Sequence, residues 1–146
     1  MNPVDWKIRS GLLGMASPSD LPAVLGSEVS GVVREVGKDV DGFQVNDEVF
    51  GTVAAGSGGY AEFTVMPANA TAHKPPQVSF TDAATLGVAG ATAYDGVTQL
   101  GLKEGQTLLI NGIGGGVGVA AAQIARDFGI NAVSYTHLTL PTTPYV

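Results

Sequence analysis

The chain has 146 residues, 45% hydrophobic and 14% charged, the balance of a folded globular protein rather than a disordered one. A net charge of −6 gives no support to nucleic-acid binding by phosphate neutralisation, and no apolar run reaches membrane-spanning length. The absence of cysteine excludes disulfides and thiolate zinc sites, and the first residues lack the apolar core of a signal peptide, so the expected location is cytoplasmic.

Taken in order, Asn2 to Ser10 predicts a short helical turn closed by Gly11, with Asn2 or Asp5 available to cap it. A Pro/Ser/Gly-rich loop from Gly11 to Pro22 has no periodicity and is expected on the surface, long enough for a flap over a cleft. From Val24 the pattern turns to strands: Glu28 to Val36, Val45 to Phe50, an alternating run Tyr60 to Val65, and a last strand near Ala70 to His73. Turns are marked by Gly37, Asp41-Gly42 and Gly56 to Gly59, and Asn46 suits a left-handed position that most residues avoid. Several short strands at this spacing indicate a small barrel or sandwich.

At Ser79 the character changes. Ser79-Phe-Thr-Asp82 fits a capping box, and Ala83 to Leu100 reads as helix interrupted around Gly87 to Gly90. Thr107 to Ile110 is then a short apolar strand running into Asn111-Gly-Ile-Gly-Gly-Gly-Val-Gly118, followed by a helix whose apolar positions are Val117, Ala120, Ala121, Ile124 and Phe128. Glycines 112, 115 and 118 leave backbone N–H groups uncovered at a helix N-terminus, where the helix dipole and unpaired donors favour a pyrophosphate. A glycine count alone is weak, but the strand before and the helix after supply the context of a dinucleotide site. Gly129 caps that helix, and Ile130 to Val133 predicts a second strand parallel to the first.

Five motifs stand in sequence: Asn2-Pro-Val-Asp5, Leu25-Gly-Ser-Glu-Val-Ser-Gly-Val-Val33, Gly58-Gly-Tyr-Ala-Glu62, Val88-Ala-Gly-Ala-Thr-Ala-Tyr94 and Gly112 to Gly118. In this order, over residues 2 to 132, the chain resembles the medium-chain dehydrogenase/reductase superfamily, and more narrowly its zinc-free quinone-oxidoreductase branch. The resemblance implies an α/β fold: a GroES-like β-rich barrel, incomplete at its N-terminal side, over residues 1–80, then a linker helix and the first β-α-β part of a Rossmann domain over 81–132. It implies an NAD(P)H-dependent enzyme passing hydride to a quinone or another conjugated carbonyl compound. The expected cofactor is NADPH, with NADH left open. The partner is a small-molecule substrate, with no nucleic acid or membrane, and the full-length protein is expected to be a homodimer. Rival readings are an enoyl-thioester reductase of the same superfamily and a non-catalytic, crystallin-like binding protein.

Carried over position by position, the resemblance places Asn2 and Asp5 at the catalytic cleft, and Thr92 at the nicotinamide side of the cofactor. Gly112, Ile113, Gly114, Gly115, Gly116, Val117 and Gly118 would hold the phosphates. Zinc-dependent relatives have a Cys near the position of Val4 and a His at that of Ser27, so no metal is expected, and Glu28 is read as a hydrogen-bonding group rather than a ligand. His73 reads as an ordinary strand residue, and Tyr60 and Tyr94 as packing aromatics.

Both ends depart from the pattern. Relatives carry further strands before Asn2-Pro-Val-Asp5, so Met1 reads as an internal start. Val133-Ser-Tyr-Thr-His-Leu-Thr-Leu-Pro-Thr142, which includes His137, is the string obtained by translating one frame of a transposon-end oligonucleotide used in sequencing libraries, and 133–146 is read as a non-native tail. The residue that separates NAD from NADP, about 20 positions past the glycine motif, would fall there. Because half a Rossmann sheet and an opened barrel leave large apolar faces uncovered, the 146 residues alone are expected to be inactive and marginally stable.

Overall fold

A computed structural model of the chain describes residues 2–13 and 22–135. It divides into two compact units, Met1–Val88 and Ala89–Val146. Most of the expected flap and nearly all of the tail, His137 included, lie outside the described residues.

In the first unit, helix α1 spans Pro3–Arg9, with Asn2 as its N-cap and Pro3 at the first helical position, where a missing N–H costs nothing. Strands β1 (Glu28–Val32), β2 (Glu48–Thr52) and β3 (Thr71–His73) form an antiparallel sheet in that order. The register pairs Ser30 with Phe50 and Phe50 with Ala72. Among the described residues this sheet is open rather than a closed barrel. Asn46 does adopt a left-handed conformation, φ 77°, and is the one non-glycine to do so among the described residues.

The run Tyr60 to Val65, expected as a strand, is not one. Its backbone goes elsewhere: the N–H groups of Gly59 and Tyr60 donate to the carbonyls of Gly26 and Leu25, both at 2.9 Å, and Ala54 N–H donates to Val65. Isolated bonds to a loop replace a ladder, and Phe63 and Val65 stay exposed although they follow the apolar rhythm of a strand. Alternation reports a repeating side-chain direction, not the presence of a partner strand.

Helix α2 (Phe80–Ala83) begins with the expected cap: Ser79 Oγ accepts from Asp82 N–H at 3.1 Å, and Ser79 O–H donates to the Asp82 carboxylate at 2.7 Å. It packs on β1, and its Ala83 is fully buried. The unit extends beyond residue 80 to Val88 because residues 81–88 stay attached to this sheet.

Lys74, unremarked in the sequence, is buried with its alkyl stem. Its Nζ donates to the carbonyls of Val78 (2.8 Å) and Pro75 (3.2 Å), pairs with Glu48 (2.8 Å), and lies 4.8 Å from the centre of the Phe80 ring. One ammonium thus ties the end of β3 to β2 and to the turn before α2. Lys74→Met keeps the stem but removes every polar bond, and we expect it to lower stability by about 1–3 kcal/mol. An unchanged urea midpoint would count against that assignment.

In the second unit, a π-helical turn, Leu86–Gly90, runs in from the first and leads to α3 (Ala91–Gln99). Gly101 then turns the chain at φ 61°. Strands β4 (Thr107–Asn111) and β5 (Asn131–Tyr135) pair in parallel, Thr107 opposite Asn131, with α4 (Gly116–Asp127) between them in sequence. Val133 to Tyr135, the first residues of the expected tail, continue β5. The core is Val97, Ala125 and Ile130, with Leu102, Leu108, Ala121 and Ile124 packed around it. Val117 and Phe128, assigned to the apolar face of α4 by spacing, sit at its two ends and are exposed; Ala125 takes the central buried place.

Candidate functional site

The first unit gathers three of the five motifs, and Val88, the first residue of a fourth, around two carboxylates. Asp5 stands at the third position of α1, where a carboxylate reaches back over the open N-terminal turn, and it accepts the Asn2 backbone N–H at 2.7 Å. The same oxygen, Oδ2, accepts the Tyr60 hydroxyl at 2.6 Å, across 55 positions of sequence. The Gly26 backbone N–H lies close enough to favour the Asp5 charge, as the weakest of these influences. Gly26 has φ 96°, and a Cβ there would lie 3.0 Å from the Gly59 nitrogen and 3.1 Å from the Tyr60 ring, so the loop must be glycine for Tyr60 to reach Asp5.

Asp5 is buried, which by itself raises a carboxyl pKa. The Tyr60 hydroxyl and the backbone N–H groups of Asn2 and Gly26 outweigh that and hold it below its ordinary value. The counterpart is Tyr60, whose pKa is pushed up to about 12, first by its bond to Asp5 and then by burial and the carboxylate charge. Near neutral pH Asp5 is an ionised acceptor and Tyr60 a phenol with its proton committed to Asp5. Tyr60 is therefore not merely a packing aromatic: its ring is half exposed and its hydroxyl completes this site.

Glu28 divides its two oxygens. Oε1 accepts Asn2 Nδ2 and Oε2 accepts Val88 N–H, each at 2.6 Å. The hydrogen-bonding reading of Glu28 matches this geometry. Among the described residues no group of three or more His, Cys, Asp or Glu is placed to hold a metal ion. His73 lies in β3 stacked on Phe43, with Nε2 3.0 Å from the Gly42 carbonyl oxygen.

The glycine segment of the second unit forms a tight turn. Gly112 has φ 80°, and Gly115 N–H donates back to its carbonyl at 3.1 Å. Gly115 then caps α4 with no side chain to offer, and the first α-helical bond found is Val119 N–H to the Gly115 carbonyl. The N–H groups of Gly116, Val117 and Gly118 thus have no acceptor within the helix, and no cap supplies one. A Cβ at Gly118 would lie 2.7 Å from both the Gly112 oxygen and the Ile113 Cα, so only glycine lets the loop close on the helix. A Cβ at Gly114 would meet nothing within 4 Å. The turn is thus closed at Gly118 and open at Gly114. Thr92 is exposed in the first turn of α3, and its hydroxyl makes no hydrogen bond among the described residues.

Residues 1–76 match the alcohol dehydrogenase GroES-like domain family. The chain is 39% identical to the 2-methylene-furan-3-one reductase of Solanum lycopersicum, over 95% of this chain and 38% of that protein. Among solved structures, an alcohol dehydrogenase superfamily protein from Novosphingobium aromaticivorans superposes with a TM-score of 0.82 at 40% identity, covering 92% of this chain and 42% of the other. The Escherichia coli quinone oxidoreductase complexed with NADPH gives 0.76 at 32% identity, covering 92% and 40%. The chain spans about two fifths of the length of these proteins. No helix among the described residues is long and apolar enough to cross a membrane.

Proposed function

Because the chain belongs to the alcohol dehydrogenase GroES-like family, within the medium-chain dehydrogenase/reductase superfamily, we propose that it is the substrate-side and phosphate-binding part of an NADPH-dependent reductase. Its substrate would be a quinone or another conjugated carbonyl compound. The observation that carries the reading is the turn at Gly112 to Gly118, closed by glycine packing and crowned by uncapped helical N–H groups. The tomato relative named for a methylene-furanone and the bacterial quinone oxidoreductase with NADPH support the substrate class and the cofactor.

When bound, NADPH supplies a hydride from its nicotinamide C4 to an electrophilic carbon of the substrate. This chain's residues bind and orient. Gly116, Val117 and Gly118 offer N–H donors to the pyrophosphate, and Thr92 offers a free hydroxyl on the nicotinamide side. Asn2 presents a carboxamide that can polarise a carbonyl without titrating. Asp5, ionised and saturated with donors, holds Asn2 and Tyr60 in place instead of moving a proton. The chemistry is read as zinc-free, since both Glu28 oxygens are taken by N–H donors and Val4 and Ser27 offer no ligand. Cytoplasmic location and a homodimeric full-length protein belong to the same proposal.

Among the described residues the second unit has two strands, and Leu109 and Val133 lie exposed on them, so the 146 residues alone are expected to hold cofactor without turning over. The test is thermal denaturation of this chain with and without NADPH, beside steady-state assays of the full-length reading frame. At NADPH a hundredfold above Kd, stabilisation of about 2.7 kcal/mol is expected. Quinone-dependent NADPH oxidation by the full-length enzyme is expected too. No nicotinamide binding by either protein would point to a structural role, and turnover of an enoyl thioester with quinones untouched would point to an enoyl reductase.

A further inference from the structure

Glu28 touches both a proposed cleft residue and the backbone leading to the cofactor-side helix. Its bonds to Asn2 Nδ2 and Val88 N–H, both 2.6 Å, join partners 26 and 60 positions away in sequence. A carboxylate only accepts, so the nitrogen end of the Asn2 amide must face it; a flip would set the amide oxygen against a carboxylate oxygen. Glu28 thus selects one of two otherwise similar carboxamide orientations. Its other oxygen anchors Val88 in the π-helical turn Leu86–Gly90, a rare geometry that recurs at functional sites. The turn is seated closely: a Cβ at Gly87 would lie 2.7 Å from the Gly51 carbonyl oxygen and 3.1 Å from Glu28 Cβ. Four residues beyond Val88 in sequence comes Thr92.

We propose that Glu28 is a positioning residue of the reductase, which fixes the orientation of the Asn2 carboxamide and pins the turn from which the chain enters α3. The inference rests on the reading of Asn2 as a cleft residue. Glu28 itself touches neither substrate nor cofactor; it acts through Asn2.

The test compares Glu28→Ala, Glu28→Gln, Asn2→Ala and the double variant Asn2→Ala/Glu28→Ala. In this chain, amide exchange at Val88 and the side-chain amide signals of Asn2 are followed by NMR. In the full-length reading frame, kcat and KM are measured with a quinone and NADPH. Glu28→Ala should speed Val88 exchange, move the Asn2 side-chain amide signals upfield toward those of a free carboxamide and lower kcat about tenfold or more, as expected for a misplaced orienting group, with the smaller effect on KM for NADPH. Glu28→Gln has one carbonyl oxygen for two donors and should fall between wild type and Glu28→Ala; it also carries the test if the alanine variant does not fold. In the Asn2→Ala background, Glu28→Ala should lower kcat little further, because the two act as a unit. Fully multiplicative effects would reduce Glu28 to a structural residue and overturn the proposal, as would wild-type kcat in both Glu28 variants. An inactive wild type would instead overturn the reductase reading, a result distinct from either.

Discussion

Gly118→Ala should raise the NADPH Kd about tenfold or more and lower the melting temperature, although alanine is the better helix former. In an unobstructed helix the change from glycine to alanine stabilises by about 1 kcal/mol. Here the new Cβ would lie 2.7 Å from the Gly112 carbonyl oxygen and from Ile113 Cα, and 3.0 Å from the Ile113 carbonyl carbon. All are backbone atoms, which cannot rotate away, so the loop must lift from α4. Overpacking of this kind costs about 1–3 kcal/mol, enough to reverse the propensity gain. The lifted loop no longer presents the N–H groups of Gly116 and Val117 in one array, and a tenfold loss corresponds to only about 1.4 kcal/mol of binding energy. Gly114→Ala is the control. Its Cβ meets nothing, so the melting temperature should hold while the methyl group covers the open side of the turn and weakens NADPH several-fold. Wild-type affinity in both variants, read by calorimetric titration, would show that the turn holds no phosphate.

What was legible in the sequence is what depends on near neighbours. The Ser79 cap, the Gly101 and Gly129 stops, left-handed Asn46 and the strand-loop-helix from Thr107 to Asp127 all rest on contacts within a few residues, and all stand in the structure. The interruption expected at Gly87 to Gly90 is there too, as the π-helical turn. What was not legible lies across distance. Tyr60 to Val65 has the rhythm of a strand, yet the backbone groups that would pair it go to Leu25, Gly26 and Ala54, and rhythm says nothing of that. Tyr60 reads as a packing ring until Asp5 arrives from 55 residues away. Nothing in the sequence marks Lys74, whose ammonium is surrounded by three carbonyl and carboxylate oxygens. In the site itself the motifs named most of the residues, but not that four of them share two carboxylates. A weak signal was present: glycines at 26, 58 and 59 imply close backbone approach, and the residue beside them is a tyrosine rather than a phenylalanine.

Removing the Asp5 carboxylate should have the largest effect on the first unit. Asp5→Ala leaves the Tyr60 hydroxyl and the Asn2 N–H without their acceptor around a buried position, and a loss of about 3 kcal/mol is expected. Asp5→Asn keeps the volume and offers one neutral oxygen in place of the carboxylate, so it should recover part of that loss. The pH dependence gives the sign. The folded pKa of Asp5 lies below its ordinary 3.8, so its contribution is present above that value and disappears as the pH falls through the folded one. For Tyr60 the folded value is about 12 against an ordinary 10, so its contribution is complete below pH 10 and is lost as the pH rises from 10 through 12. Tyr60→Phe should therefore flatten the alkaline limb of the stability curve and leave the acid limb dominated by the backbone bonds of Asp5. The wild-type minus Tyr60→Phe difference in phenolate absorbance isolates this tyrosine from the other three in the chain. It should titrate near 12 in the wild type, and Tyr60 in Asp5→Asn should titrate back toward 10, because the charge and the ionic hydrogen bond are both gone. A wild-type difference curve already centred at 10 would mean that the Tyr60 hydroxyl does not reach Asp5 in solution. The loop at Leu25 and Gly26 would then be held by its backbone bonds from Tyr60 and Gly59.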